Sequence, residues 1–427
     1  MTGLRQDDPV LTRRSRRRQT PHSPPPEALP FEGARVLDEI PGELGAFLFQ
    51  RLRDVLLWSS FPVDERGLHV LFRRRRVVVP QVDDWVDDEP INSAFRSLAS
   101  LVKVQAGANA DELGKACARI SQWAVDKSLY QTAYWYAFAA TRILPADALL
   151  CVAAGRVARK QAKYELATQW FRRAVRLART SRRWNVLATT QISWATLDLQ
   201  RGNLELARKR LTRAWRTAHK YDLRHLAARA QHDLLQVTID TGELDLAETH
   251  AAKALELYGL KARNIIALAH DWAYLWLRRK HFSAALPVLD VVLPYITVPN
   301  ERVLALSSIA RAAGALGEVK RFEDAAEGVL QLAGTTSEGT AAALISVAEG
   351  GYAVGYVQKA LEHAERALQL ALGRGEKVQI AVAEELIARI AGSGPREAEQ
   401  PLPIESDTYE RSAELIRRVQ HGAARWL

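Results

Sequence analysis

YELATQWFRRA (164–174), LELARKRLTRA (204–214) and LDLAETHAAKA (244–254) share one pattern. In each, an aromatic residue or Leu is followed three places on by Ala, four later by an apolar residue and three beyond that by a small one, the spacing of a single α-helical face. Four further copies keep the rule with varying fidelity: YQTAYWYAFAA (130–140), FSAALPVLDVV (282–292), FEDAAEGVLQL (322–332) and VQKALEHAERA (357–367). The anchor alanines are Ala133, Ala167, Ala207, Ala247, Ala285, Ala325 and Ala360, spaced 34, 40, 40, 38, 40 and 35 residues apart. A period of this size marks an array of stacked units rather than separate globular domains.

A second amphipathic stretch precedes every anchor. Twelve residues back stands a small side chain at Ser121, Gly155, Ala195, Ala273, Ala313 and Ala348, whereas Leu235 breaks the rule. Small residues at two facing positions let antiparallel helices approach closely, as a helical hairpin requires. Gly202-Asn203 and Gly242 supply the reversals.

These residues resemble the tetratricopeptide repeat family. The likeness rests on the small residue of the first helix, the aromatic or Leu before the anchor (Tyr130, Tyr164, Leu204, Leu244, Phe282, Phe322), the anchor itself and the later Ala140, Ala174, Ala214, Ala254 and Ala367. It covers residues 111–391. The repeats depart from the family in running to about 40 residues rather than 34, in mostly lacking the Pro after the second helix, and in carrying Val292 and Leu332 at the last small position. The resemblance implies an all-α right-handed solenoid of about seven helical hairpins, and peptide or partner-protein binding of the kind found in bacterial regulatory and signalling modules.

Outward from the array, residues 1–30 are Arg- and Pro-rich with little to bury, so a disordered tail is expected. Residues 31–105 read as a small helical cap and connector. In it PGELGAFLFQRLRDVLLWSS (41–60) is an amphipathic helix, followed by strand-like LHVLF and VVV, the basic run Arg73–Arg76 and the acidic cluster Asp83, Asp84, Asp87, Asp88 and Glu89. The repeat array with its capping helix (378–391) fills 106–391, and 392–427 reads as a linker plus a C-terminal helix that docks back or contacts something else. The whole forms an elongated array with appendages.

In the family, first helices line a concave groove. With the anchor numbered 20, the family's groove positions 5 and 6 fall on His232 and Asp233 in one repeat and His270 and Asp271 in the next. Position 9 is Arg156, Thr196, Gln236 and Tyr274, and position 13 is Lys160, Gln200, Asp240 and Arg278; Arg229 stands one turn before His232. Arg156, Arg229, His232, Asp233, Gln236, His270, Asp271, Tyr274 and Arg278 are therefore the candidate binding residues. The recurring His-Asp pair has three readings. Two His and two Asp can supply metal ligands, but no helix offers the i,i+4 ligand pair that such sites favour. A phosphohydrolase His-Asp motif needs further ligands on other helices. The pair can instead stitch repeats together or contact a peptide backbone, so binding is favoured over chemistry.

Charge adds a second signal. The chain of 427 residues has a net charge of +10, yet residues 156–229 alone carry +15, leaving the remainder at −5. Arg172, Arg173, Arg176 and Arg179, then Arg208, Lys209, Arg210, Arg213 and Arg216, recur at helical spacing as a basic stripe with Trp170, Trp184 and Trp215 among them. Such a stripe suits an acidic partner or, without sequence preference, nucleic acid; it also suits plain solvation.

No phosphate-cradling GxxxxGK[ST], HExxH or GxSxG is present, so a non-catalytic chain without cofactor or metal is expected. Cys117 and Cys151 read as small core residues, and two thiols build no disulfide scaffold. With no signal-peptide core and no apolar run of about 18 residues, a cytoplasmic protein without a membrane span is expected.

Overall fold

The structure, a computed structural model, describes residues 36–61, 86–103, 109–259, 262–334, 339–392 and 406–423. Every regular element among them is helical. Residues 1–30, the strand-like stretches and the Arg73–Arg76 run lie outside the described residues.

Among the described residues three helices come first: α1 (Val36–Glu39), α2 (Glu43–Ser60) and α3 (Glu89–Lys103). Seven hairpins follow. They are α4 with α5 (Ala110–Asp126, Tyr130–Ile143), α6 with α7 (Ala148–Lys160, Tyr164–Thr180), α8 with α9 (Trp184–Gln200, Leu204–Lys220) and α10 with α11 (Arg224–Asp240, Leu244–Tyr258). Next come α12 with α13 (Ala262–Arg278, Phe282–Val292), α14 with α15 (Pro299–Ala315, Val319–Ala333) and α16 with α17 (Thr340–Ala353, Val357–Arg374). Helices α18 (Lys377–Gly392) and α19 (Ser406–Ala423) are the last among the described residues.

Each hairpin turns on one residue in the left-handed region: Ser128, Ala162, Gly202, Gly242, Lys280, Gly317 and Gly355, with φ between 58° and 91°. That conformation reverses the chain in a few residues, and glycine adopts it without strain. Between the paired helices the anchors are buried, and the small facing residues make the approach possible. A Cβ on Gly155 would come within 2.7 Å of the Phe171 ring, and Ser121 donates its hydroxyl to the carbonyl of the anchor Ala133 at 2.8 Å.

The sixth hairpin differs from its sequence alignment. Counting from its turn at Gly317, the residue equivalent to the anchor is Phe322 and not Ala325. Phe322, Ala325 and Ala326 share a buried face, so the pattern alone accepts either register. The bulky anchor is accommodated by glycine in the next hairpin, where Gly350 and Gly351 lie against its ring.

Inner helices of consecutive hairpins pack on one another from α6 to α16, whereas consecutive outer helices make no comparable contact. This asymmetry bends the array, and it does not stay elongated. The seventh hairpin returns to the second, where Arg374 Nη2 donates to the Lys160 carbonyl at 3.3 Å. The first residue of α18 lies against the third hairpin, with Lys377 Cβ at 3.1 Å from where a Gly202 Cβ would stand. Across the interior, Asn300 Nδ2 donates to the Tyr130 hydroxyl at 2.7 Å.

The N-terminal helices seat on the first hairpin. Glu39 accepts hydrogen bonds from the first-turn N–H groups of Gln131 and Thr132 at the start of α5, at 2.8 and 2.7 Å, as a carboxylate at a helix N-terminus should. At the other end α19 docks back on α12 and α13. It buries Leu415 and Val419, and Ser412 donates to the Ala284 carbonyl at 3.0 Å. Both cysteines are buried and unbridged; burial pushes the Cys117 thiol up to about 12 and Cys151 up to about 11.

Candidate functional site

A cavity of about 880 Å³ opens on the inner surface of the fourth and fifth hairpins. Helix α10 presents His225, Arg229, His232 and Asp233 to it at three- and four-residue spacing, and α12 presents Asn264, Ala267, His270 and Asp271. Its roof runs from Pro294 to Leu304. That roof exists because α13 is only 11 residues long and carries Pro287. The chain leaves it through a 3₁₀ turn, Leu293–Tyr295, which Arg302 Nη1 ties down through the Leu293 and Ile296 carbonyls, both at 3.2 Å.

Asp271 is the hub of the polar wall. His232 Nε2 lies 2.9 Å from Oδ2 and His270 Nδ1 lies 2.8 Å from Oδ1. Burial opposes the carboxylate charge, but these two hydrogen bonds and the charges behind them outweigh it and hold Asp271 well below the usual carboxylate range. Tyr258, at the end of α11, reaches His232 Nδ1 at 3.2 Å, and burial followed by the Asp233 charge raises its phenol. In the neutral form of His232, Tyr258 donates to Nδ1 and Nε2–H donates to Asp271. His270 donates from Nδ1 to Asp271, and its buried Nε2 has no partner among the described residues.

Asp233 is raised by burial, against the pull of Arg229 and His232. Arg156, on the second hairpin, is not among the residues that line the cavity. Its Nε donates to Ser193 Oγ at 2.8 Å, and burial, then repulsion from Arg229 and Arg159, lowers it to about 10.

Of the residues picked out in sequence, Arg229, His232, Asp233, His270 and Asp271 line the cavity together. Gln236, Tyr274 and Arg278 stand apart, nearer the helix C-termini. There Gln236 Nε2 donates to Asp240 Oδ1 at 2.8 Å, and burial raises Asp240 to about 6 despite the Gln236 hydrogen bond and the Arg278 charge. The alignment missed Tyr258, which arrives from an outer helix, and the whole roof. It also missed the ion pair of Arg311 and Glu349, 3.0 Å apart, because Arg311 reaches position 9 only in the register set by Phe322.

The basic stripe needs correction. Arg173 is 1% exposed, donates to the Pro145 carbonyl at 2.8 Å and lies over Trp170, itself wholly buried. Arg208 is bound to Glu243 and Thr241, and Arg210 to Asp198 at 2.5 Å, over the Trp194 ring. Arg172, Arg176, Arg179, Lys209, Arg213 and Arg216 are exposed. Among the described residues no cluster of three or more His, Cys, Asp or Glu is arranged to hold a metal ion. No described helix is long and apolar enough to cross a membrane.

No family model matches the sequence, and no curated protein matches it. Among solved structures the chain is similar to a Rap protein complexed with competence and sporulation factor, at 12% identity over 90% of this chain and 98% of that one, with a TM-score of 0.46. It is similar also to a STAND signal-transduction ATPase with a tetratricopeptide repeat sensor from Pyrococcus horikoshii, at 14% identity, 94% and 60% coverage and a TM-score of 0.44. A third is the tetratricopeptide repeat domain of P58(IPK), at 13% identity, 72% and 99% coverage and a TM-score of 0.22. With seven successive antiparallel hairpins, each turned on a left-handed residue and packed inner helix to inner helix, the chain is an all-α solenoid of the tetratricopeptide-like kind.

Proposed function

We propose that the chain is a non-catalytic protein- or peptide-binding solenoid, acting as adaptor, scaffold or sensor subunit in a bacterial cytoplasm, and that the cavity of the fourth and fifth hairpins takes the bound segment. The cavity itself carries the reading. Its polar wall of Arg229, His232, Asp233, His270 and Asp271 faces apolar Ile266, Ile296, Val298 and Leu304. An extended peptide has this same duality, with backbone groups that need partners and side chains that need burial. The volume lies toward the upper end of the roughly 300–1,000 Å³ range of ligand sites, enough for a short segment.

A photo-crosslinking amino acid at Thr297, in the roof, tests it. Crosslinked peptide or protein should be recovered from that position, should be competed by the same peptide added free, and should vanish when Asp271 is replaced by Ala. Equal recovery from an outer position such as Leu246 would overturn the assignment.

A further inference from the structure

The outer edge of the second and third hairpins carries a charge that the peptide cavity leaves unused. Glu165, Asp198 and Glu205 are each committed, to Arg201, Arg210 and Arg208. Exposed Arg172, Arg176 and Arg179 on α7, and Lys209, Arg213 and Arg216 on α9, have no ion pair among the described residues. Along one helix, steps of three and four residues put these cations about 4.5–6 Å apart. Cations in a last turn favour the negative end of a helix, which accounts for Arg179 and Lys220. It gives no reason for Arg172 or Lys209, two turns or more earlier.

A pair of rings joins the two basic helices. Trp184 begins α8 directly after the turn from α7, and Tyr221 directly follows α9. Their rings stack with centroids 4.9 Å apart and planes 9° from parallel. This stack fastens the C-terminal ends of α7 and α9 side by side, and Arg179 and Arg216 are the arginines of the two lines nearest to it along their helices. Tyr221 is 37% exposed; Trp184 takes one face of its ring, and the Lys220 ammonium lies 5.4 Å from the ring centroid.

We propose that this edge binds single-stranded nucleic acid without sequence preference, with phosphates on the arginines of α7 and α9 and an unstacked base on the Tyr221 ring. Three observations favour it over an acidic protein surface. The free cations are mostly arginines, whose planar fork engages phosphate bidentately. They run in lines, as a backbone does. An exposed ring stack offers a base a platform and offers a carboxylate nothing. Duplex is disfavoured because its bases are already stacked.

Fluorescence anisotropy of the full chain with labelled oligodeoxythymidylate tests the proposal. Binding should weaken with salt at a log–log slope of about −3, for roughly four phosphates at about 0.7 each. Arg176→Glu with Arg216→Glu should abolish it, while both variants keep the wild-type circular-dichroism melt. Tyr221→Ala should weaken binding by about 5- to 100-fold with little change in slope, and Tyr221→Phe should retain it. No binding at low salt would overturn the proposal. So would polyglutamate that competes as well as the oligonucleotide while Tyr221→Ala has no effect, the outcome that marks an acidic protein partner instead. Neither result touches the peptide cavity, which lies on the inner helices.

Discussion

His232 on α10 and Asp271 on α12 meet across the seam between two hairpins, Nε2 to Oδ2 at 2.9 Å. One carboxylate thereby orders two imidazoles and a phenol, and a groove residue doubles as a bond between repeats. Asp271→Asn should destabilise the fold by about 1–2 kcal/mol near neutral pH, allowing for the carboxylate's access to the cavity. The folded-state value lies below the unfolded one, so this contribution is complete above about pH 4 and is lost as pH falls through the folded value. Thermal melts of the two proteins should therefore stay apart at pH 7 and converge in acid; coincident melts at pH 7 would contradict the network.

Asp240 gives the opposite sign. Burial raises it to about 6, above the unfolded value near 3.9, so the folded state binds the proton more tightly. Ionisation then weakens the fold as pH climbs from about 4 to 6. Asp240→Asn, which keeps an acceptor for Gln236, should be more stable than wild type by about 2 kcal/mol at pH 7 and no more stable at pH 4. Chemical denaturation at the two pH values measures this.

Three glycines rank the closeness of the helices. At Gly350 a Cβ would stand 2.5 Å from the Ala310 carbonyl oxygen, at Gly155 it would stand 2.7 Å from the Phe171 ring, and at Gly351 3.3 Å from Phe322. Backbone cannot rotate aside and a ring shifts only a little. Ala should cost most at Gly350, about 1–3 kcal/mol at Gly155, and little at Gly351, where the gain in helix propensity offsets the contact. Denaturant midpoints in any other order would mean that the register of the sixth and seventh hairpins is different.

Closure of the array has a covalent test. The position of a Gly202 Cβ lies 3.1 Å from Lys377 Cβ, close to the separation a disulfide spans. In a Gly202→Cys, Lys377→Cys double variant, mild oxidation should give a monomer of increased electrophoretic mobility that reverts on reduction. Left-handed φ at residue 202 costs the cysteine about 1–2 kcal/mol, which the crosslink offsets. Free thiols after oxidation would show that the ends stand apart.

The hairpins and their partners were legible because two facing small residues recur at fixed spacing, a constraint that close helix packing writes directly into sequence. The sixth register was not, since Phe322 and Ala325 lie on one helical face and only the turn at Gly317 separates them. Groove position picked out His232, Asp233, His270 and Asp271, and its place one turn before His232 picked out Arg229; all five line the cavity. Tyr258 could not be, because it reaches the cavity from the end of an outer helix, α11, nor could the roof, which follows the shortened α13, whose end no periodicity fixes. Arg173 was misjudged for a related reason. It neighbours Arg172 in sequence, and only the Pro145 carbonyl and the Trp170 ring, supplied by tertiary packing, draw it inward.

The contact between Arg374 and the Lys160 carbonyl turns the number of hairpins into a constraint. In an open solenoid, adding or losing a unit lengthens or shortens the rod and leaves its cross-section alone. A coil whose seventh hairpin touches its second admits one number of units. Removing a hairpin would part Arg374 from the Lys160 carbonyl and Asn300 from the Tyr130 hydroxyl, undoing the closure before it changed any residue lining the cavity.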